Sequence, residues 1–334
     1  MNELSKSYIY DSTKVFEEIL RRNPKKVLIQ LPEGLKHYSI NLTDELVKTF
    51  KNVEFTVDAN PIYGSCILNN HINTYYDLVL HFGHEPYPYM KNINEKVVFV
   101  DLLSNLTPNE ELLKTLTETL KTLNTRNTAI YTTHQHKKTT EKVRKYLENH
   151  GIKTLNRTEN PTIMGCWFND VLNHLNTSDN YIVVASGLFH PLGIGLLTKG
   201  LKPVIQLDLY RNEVKVLNET INKYLRIRYS KIMNSIDTKT WLLIHGIEGQ
   251  FRNNIREELI KALKNKKINY YEYQSSIINQ EVLRNIDNVN ADVYVITACP
   301  RLPIDDLQDF EKPVLTPGEA FMILKELKDY TFPW

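Results

Sequence analysis

Cysteine is scarce in this chain. Its 334 residues include three, Cys66, Cys166 and Cys299, one in each third of the sequence. No two are near neighbours, which excludes a local zinc knuckle, because such sites need closely spaced Cys pairs. A low, odd count also argues against a disulfide framework and for reduced thiols in a cytoplasmic protein. No uncharged apolar run approaches the roughly 20 residues that span a bilayer, so no membrane contact is expected. The opening Met1-Asn2-Glu3-Leu4-Ser5-Lys6 has no apolar segment, and no signal peptide is visible. An excess of one charge is missing too: 41 Lys and Arg face 39 Asp and Glu, a net charge of +2. That balance demands no polyanionic partner, and direct nucleic-acid binding is not expected.

The chain does hold enough apolar residues for a sizeable core, 42% against 24% charged, and its length calls for two or three domains. The clearest organisation is a strand-turn-helix opening that occurs three times. Val27-Leu28-Ile29-Gln30-Leu31 breaks at Pro32-Glu33-Gly34 before a helical pattern ending near Phe50. Ala129-Ile130-Tyr131-Thr132-Thr133 precedes a helical pattern at 140–147, and Trp241-Leu242-Leu243-Ile244-His245-Gly246 precedes one at 255–263. Each opening has a second apolar strand later in its unit, at 76–84, 181–187 and 292–299. Short buried strands alternating with helices predict βαβ units. The fold class expected is therefore α/β, with three related domains, each a small parallel sheet flanked by helices. Their bounds are 1–105 with Cys66, 106–215 with Cys166 and 216–334 with Cys299.

Each cysteine stands in a short turn-like segment: Tyr63-Gly64-Ser65-Cys66, Met164-Gly165-Cys166 and Ala298-Cys299-Pro300-Arg301. Exit loops of α/β units are where ligand sites are usually built. If the thiols converge, they supply three ligands and leave one coordination position open, as a reactive metal centre requires. Cys66 and Cys166 precede the second strand of their units while Cys299 ends its own copy, so any threefold arrangement is approximate.

Several segments carry a family resemblance. Gln30-Leu31-Pro32-Glu33-Gly34, Tyr63-Gly64-Ser65-Cys66, Gly187-Leu188-Phe189-His190-Pro191-Leu192-Gly193 and Thr297-Ala298-Cys299-Pro300-Arg301-Leu302-Pro303-Ile304-Asp305-Asp306 resemble the archaeal enzymes of diphthamide biosynthesis. So does Lys312-Pro313-Val314-Leu315-Thr316-Pro317-Gly318-Glu319, and the order is kept from about residue 25 to about residue 320. The resemblance implies a homodimer of three-domain subunits that converge on a central cluster. In each, Cys66, Cys166 and Cys299 would hold a [4Fe–4S] cluster whose fourth iron takes S-adenosylmethionine. It further implies reductive cleavage to a 3-amino-3-carboxypropyl radical, added to C2 of a histidine in translation elongation factor 2. An electron donor is implied as well. Thiolate ligands suit iron–sulfur iron. The usual radical S-adenosylmethionine signature, three cysteines in one short loop, is absent. The chain departs from the family at Ile67-Leu68-Asn69-Asn70 after Cys66, at Glu85 after His84 and at Leu188 before Phe189-His190.

Four further residues are candidates for binding S-adenosylmethionine. Arg301 and Asp305 offer a cation for a carboxylate and an acceptor for an ammonium, although a surface ion pair or a helix cap accounts for them equally well. Gln250, in Gly246-Ile247-Glu248-Gly249-Gln250, offers donor and acceptor beside glycines that allow close approach; a plain helix-entry turn is the simpler account. His190 follows a buried strand, as His84 and Glu85 do in the first unit, and can serve a ligand or satisfy a carbonyl. His134 and His136 lack a carboxylate or thiol at ligand spacing and are expected to be solvated. Two other functions compete: a quinolinate-synthase-like [4Fe–4S] dehydratase using open iron as a Lewis acid, and a non-catalytic α/β binding protein with incidental cysteines.

Overall fold

Stretches rich in Val, Ile and Leu form short strands, and amphipathic segments between them form helices. The chain is described by a computed structural model over residues 7–68, 74–90, 92–156 and 161–334. Strands β1 (Tyr8–Tyr10) and β6 (Leu102–Ser104) pair antiparallel. Between them in sequence, β2 (Lys26–Gln30), β3 (Glu54–Val57), β4 (Leu78–Phe82) and β5 (Val97–Val100) form a parallel sheet in the order β3-β2-β4-β5. The second sheet contains β7 (Asn127–Thr132), β8 (Lys153–Thr154), β9 (Asn180–Val184), β10 (Val204–Asp208) and β11 (Glu213–Val216), in the order β11-β10-β9-β7-β8. The third contains β12 (Thr240–His245), β13 (Asn269–Gln274), β14 (Val293–Ile296) and β15 (Val314–Leu315), in the order β13-β12-β14-β15. The α/β class is as expected, and besides the β1–β6 pair β11 also runs antiparallel, to β10, because these two are joined by a tight turn too short for a crossover.

The helices are α1 (Ser12–Arg22), α2 (Ser39–Thr49), α3 (Glu110–Thr122), α4 (Lys137–Asn149), α5 (Asn169–Asn173), α6 (Phe189–Leu197), α7 (Asn218–Met233), α8 (Asn253–Asn265), α9 (Gln280–Ile286) and α10 (Pro317–Leu324). None among the described residues is long and apolar enough to cross a membrane.

The three larger sheets share one plan. The opening strand (β2, β7 or β12) lies between the next strand and the one after it, so chain order reverses beside it. That reversal is the switch point at whose carboxyl ends α/β proteins build ligand sites. A 3₁₀ turn follows each opening strand, at Glu33–Tyr38, His134–His136 and Glu248–Gln250. An aspartate grips the start of each opening strand. Asp77 Oδ2 accepts the Lys25 and Lys26 N–H groups at 2.9 and 3.0 Å. Asp179 does the same for Arg126 and Asn127 at 3.0 and 2.9 Å, and Asp292 for Lys239 and Thr240 at 2.9 Å each.

Packing divides the described residues into two compact units. One holds the first sheet, through Thr107, together with His134–Thr139; the other holds the rest. In the first unit, Val27 and Ile29 face Val15, Ile19, Leu42 and Leu46, while Leu28 packs on the opposite face with Leu68 and Tyr76. This is the two-sided burial expected of a parallel sheet. In the second unit, Ala129, Tyr131, Tyr181 and Val183 share one apolar core with Trp241, Leu243, Val293 and Phe321. Two of the three sheets are thus buried against common side chains.

Candidate functional site

The Cys66 turn is held by residues of the first sheet. Asp58 continues β3, its N–H donating to the Ile29 carbonyl at 2.9 Å. Glu33, in the 3₁₀ turn after β2, accepts the Ile62 N–H at 2.8 Å and also pairs with Lys36. The Gln30 carboxamide donates to Asp58 Oδ2 and to the Leu68 carbonyl, each at 3.0 Å. Ser65 donates its hydroxyl to the Glu85 carbonyl. Cys66 is therefore bracketed on both sides by contacts to the ends of β2 and β4. A Cβ on Gly64 would lie 3.7 Å from the Cys66 sulfur. Asn69 and Asn70, part of the departure after Cys66, lie outside the described residues.

In the second unit, residues 161–163 extend the second sheet. The Thr132 N–H donates to the Pro161 carbonyl at 3.1 Å, and the Ile163 N–H to the Thr132 carbonyl at 2.9 Å. The chain then turns back, with the Trp167 N–H on the Met164 carbonyl at 2.9 Å, so that Cys166 sits at the tip of a closed turn. Gly165 admits no side chain there, since a Cβ would fall 1.8 Å from the Phe189 ring. Gly193 of α6 is equally constrained, its Cβ position lying 2.7 Å from Phe168. The glycines at 165 and 193 and the ring of Phe189 thus seat the Cys166 turn on the start of α6.

His190 follows Phe189, their rings 5.4 Å apart and edge to face. Burial, with the Arg301 guanidinium adding to it, pushes its pKa down to about 4, so the ring is neutral at ordinary pH. The Arg301 guanidinium carbon lies 5.8 Å from the centre of the Phe189 ring. Cys166, His190 and the segment after Cys299 are therefore connected through Phe189.

Cys299 ends the extension of β14 and leads into a five-residue π-helical turn, Leu302–Asp306. Such turns are uncommon and collect at functional sites. Arg301 reaches Asp305 Oδ2 at 3.3 Å and Asp306 Oδ1 at 3.6 Å, all three side chains roughly half exposed. An exposed pair of this kind contributes at most about 1 kcal/mol, so a bound carboxylate could displace it. Asp305 and Asp306 close this turn and open no helix. Gln250 is buried, and its side chain folds over Gly246, where a Cβ would lie 2.6 Å from the Gln250 Cβ and 2.9 Å from that of Ala298. Gln250 is thereby placed beside the residue preceding Cys299.

The structure brings together Gln250, Cys299, Arg301, Asp305, His190 and Cys166 on the carboxyl ends of the strands of the second unit. Cys66 belongs to the first unit. His134 and His136, expected to be solvated, are both buried. His134 stands with Nδ1 2.9 Å from Glu85 Oε1 and Nε2 3.2 Å from Asp101 Oδ1, out of line for hydrogen bonds. Lys137 closes the group at 2.8 Å from Asp101. These carboxylates lie 33 or more residues away in sequence, which is why local composition misplaces His134.

Two further features were not anticipated. One is a wholly buried ion pair, Arg228 with Glu319. The guanidinium donates to Glu319 Oε1 at 2.8 Å, to Glu319 Oε2 and the Val314 carbonyl at 2.6 Å, and to the Pro303 carbonyl at 2.7 Å. Glu319 also accepts the Thr316 N–H at 2.8 Å and the Tyr330 hydroxyl at 2.7 Å. The pair fixes the turn that follows Cys299, and it accounts for the Thr316-Pro317-Gly318-Glu319 segment. The other is a buried polar chain at the end of β4. His81 Nδ1 lies 2.9 Å from Gln30 Oε1, and His81 Nε2 lies 3.0 Å from His84 Nδ1.

All three cysteines are described and none forms a disulfide; each is half-buried in a turn beyond a strand. Among the described residues no three His, Cys, Asp or Glu side chains are grouped to hold a metal ion. The fit to an iron–sulfur cluster therefore lies in donor chemistry, with three accessible thiols and no competing disulfide.

Residues 31–333 match the model of the family described as "Putative diphthamide synthesis protein". The chain belongs to the diphthamide synthesis protein family. It is 30% identical to the 2-(3-amino-3-carboxypropyl)histidine synthase of Methanocaldococcus jannaschii, over 96% of this chain and 92% of that protein. Identity to the synthase of the same name from Saccharomyces cerevisiae, its subunit 1, is 26%, over 98% of this chain and 77% of that one. Among solved structures, the crystal structure of Dph2 from Pyrococcus horikoshii with a 4Fe-4S cluster superposes with a TM-score of 0.83 at 27% identity, covering 96% of this chain and 92% of that one. This diphthamide-family chain therefore has the fold of a protein that carries such a cluster.

Proposed function

We propose that this chain is a 2-(3-amino-3-carboxypropyl)histidine synthase, a transferase of the first step of diphthamide biosynthesis. The observation that carries the reading is similarity over nearly the whole chain to synthases of that name, with all three cysteines on strand-end turns. The family assignment disfavours the dehydratase and the non-catalytic readings.

In this reading Cys66, Cys166 and Cys299 hold a [4Fe–4S] cluster. When bound, that cluster supplies the electron that cleaves S-adenosylmethionine to 5′-methylthioadenosine and a 3-amino-3-carboxypropyl radical. Arg301 binds the substrate carboxylate, exchanging Asp305 and Asp306 for it at little cost. Asp305, once released, accepts from the ammonium. Gln250, held over Gly246, offers a fixed amide with both donor and acceptor. His190, neutral, can accept or donate one hydrogen bond beside Arg301 without adding charge. The protein substrate is elongation factor 2, modified at C2 of one histidine; the working form is a cytoplasmic homodimer of three-domain subunits served by a separate electron donor.

Anaerobic reconstitution followed by reduction with S-adenosylmethionine tests this reading. About four irons per chain and release of 5′-methylthioadenosine are expected, with transfer of labelled aminocarboxypropyl to the cognate elongation factor. Cys166→Ala should lose iron. Iron binding unchanged in that variant, or no methylthioadenosine from a fully loaded wild type, would overturn the proposal.

A further inference from the structure

Hydrogen-bond logic fixes the state of a histidine that the proposed function leaves unused. Gln30 turns one end of its carboxamide to Asp58 Oδ2 and the Leu68 carbonyl, both at 3.0 Å. The carbonyl can only accept. The other Asp58 oxygen already takes the Asn60 N–H and its side-chain amide at 2.9 and 2.8 Å, as an acceptor. The end of Gln30 facing both must then be its NH₂, and its oxygen must face His81 Nδ1, 2.9 Å away. An oxygen there requires a proton on His81 Nδ1. His81 is fully enclosed in β4, edge-on to Phe99 with ring centres 5.2 Å apart. A neutral His81 has a bare Nε2, and the His84 Nδ1 lying 3.0 Å from it must carry the proton between them. One nitrogen of His84 is left without a proton, Nε2.

The ring that bears this nitrogen is held from its backbone as well. Gly83 turns the strand outward at φ +78°, where a Cβ would strike Pro32 at 2.8 Å, and its N–H is tied to the Val100 carbonyl at 2.9 Å. His84 is half-buried, so the chain of groups runs from the enclosed Asp58, Gln30 and His81 to a surface-reaching end. The next residue, Glu85, takes the Ser65 hydroxyl on its carbonyl, which puts this end beside the Cys66 turn. Of the charged and titratable groups nearby, His134 acts on His84 directly and is itself placed against Glu85 and Asp101, which Lys137 also meets.

We propose that His84 presents a fixed, unprotonated Nε2 as the acceptor for an N–H donor of the substrate, with His81, Gln30 and Asp58 as positioning residues. The inference deepens the synthase reading and rests on it for the identity of the donor. Two groups of one chemistry qualify: the ammonium of S-adenosylmethionine and the ring N–H of the target histidine. Burial and the neighbouring His134 lower the His84 pKa to about 4, and burial and His84 hold that of His81 well below its ordinary value. Both rings thus stay neutral through the working pH range, and the lone pair on Nε2 is retained.

The first test is long-range proton–nitrogen correlation NMR of the full chain labelled with ¹⁵N-histidine. His81 and His84 should both show the neutral Nδ1-protonated form, unchanged between about pH 8 and pH 5, and Gln30→Met should release His84 into a mixture of tautomers. A His84 protonated on Nε2, or doubly protonated at neutral pH, would overturn the proposal whatever the enzyme's activity. The second test uses reconstituted enzyme matched for iron content. His84→Phe and Gln30→Met should each weaken one binding step about tenfold, the worth of one hydrogen bond to a charged or polar substrate group. A change in S-adenosylmethionine dissociation constant identifies the ammonium; a change in KM for the elongation factor identifies the imidazole. Both constants within twofold of wild type would overturn it. If loaded enzyme has no synthase activity, the tautomer measurement still decides the state of His84, so the two failures are distinct.

Discussion

Replacing Glu319 with Gln tests how the turn after Cys299 is held. Arg228 and Glu319 are both wholly enclosed, and the guanidinium makes two of its four hydrogen bonds to that one carboxylate. Glutamine keeps the size but removes the charge and one acceptor, leaving a buried cation with two backbone carbonyls and one neutral amide oxygen. Breaking a buried pair from one side costs about 3–5 kcal/mol, because the remaining charge is uncompensated. At about 2–4 °C per kcal/mol for a unit of some 200 residues, thermal unfolding should fall by about 6–20 °C. Scanning calorimetry of the cluster-free chain reads this directly. The double variant Arg228→Met with Glu319→Leu removes both charges and should recover much of the loss. Recovery will be partial, because the Thr316 N–H and the Tyr330 hydroxyl lose their acceptor. A Glu319→Gln chain melting within about 2 °C of wild type, or a double variant less stable than the single, would refute the reasoning.

The same substitution reaches the site. Arg228 holds the Pro303 carbonyl, inside the π-helical turn that carries Arg301 and Asp305. Loosening that turn should lower retained iron and weaken S-adenosylmethionine binding in Glu319→Gln, although Glu319 itself touches neither.

Three further outcomes follow from the geometry. Gly165→Ala forces a Cβ into the Phe189 ring, 1.8 Å away; displacing that ring should cost about 1–3 kcal/mol and reduce iron retention, measured by denaturant titration and iron analysis. Asp179→Ala removes the acceptor of two backbone N–H groups, and with the carboxylate exposed the expected loss is about 1 kcal/mol by urea unfolding. Those N–H groups hold the Asp77 and Asp179 carboxyls below their usual 3.8, so the stability they give is present above that pH and fades as pH falls through the lowered folded values. His84 and His190 shift the other way from a salt-bridged histidine, both down to about 4. Between pH 4 and 6.5 the unfolded chain binds protons that the folded chain refuses, so stability should rise with pH across that window and level off above it; a flat profile there in circular-dichroism melts would contradict the neutral state of both rings.

The parts of the fold visible in the sequence are those governed by local periodicity. Runs such as Val27-Leu28-Ile29 and Trp241-Leu242-Leu243-Ile244 are apolar on both faces and too short for helices, so they announce enclosed parallel strands. Glycines and prolines after them mark the turns. The polar contacts that organise the ends of those strands are invisible for one reason: each partner is distant in sequence and ordinary in isolation. Asp77, Asp179 and Asp292 each precede a strand and read as solvated turn residues, yet their partners lie 51–53 residues upstream. Arg228 sits on a helix with several other cations, and nothing local distinguishes it; its burial depends on Glu319, 91 residues later. His134 and His136 stand among Thr, Gln and Lys, a composition that predicts exposure; both are enclosed, His134 against Glu85 and Asp101. Gln30 is the instructive case. Its place at the end of a strand, before Pro-Glu-Gly, marks it as part of a motif, but its role follows only when Asp58, Leu68 and His81 are seen around it. A carboxamide with two acceptors on one side has a single orientation left, and that orientation passes through His81 to set the free nitrogen of His84. Motifs locate such positions; only the three-dimensional set of donors and acceptors assigns their protons.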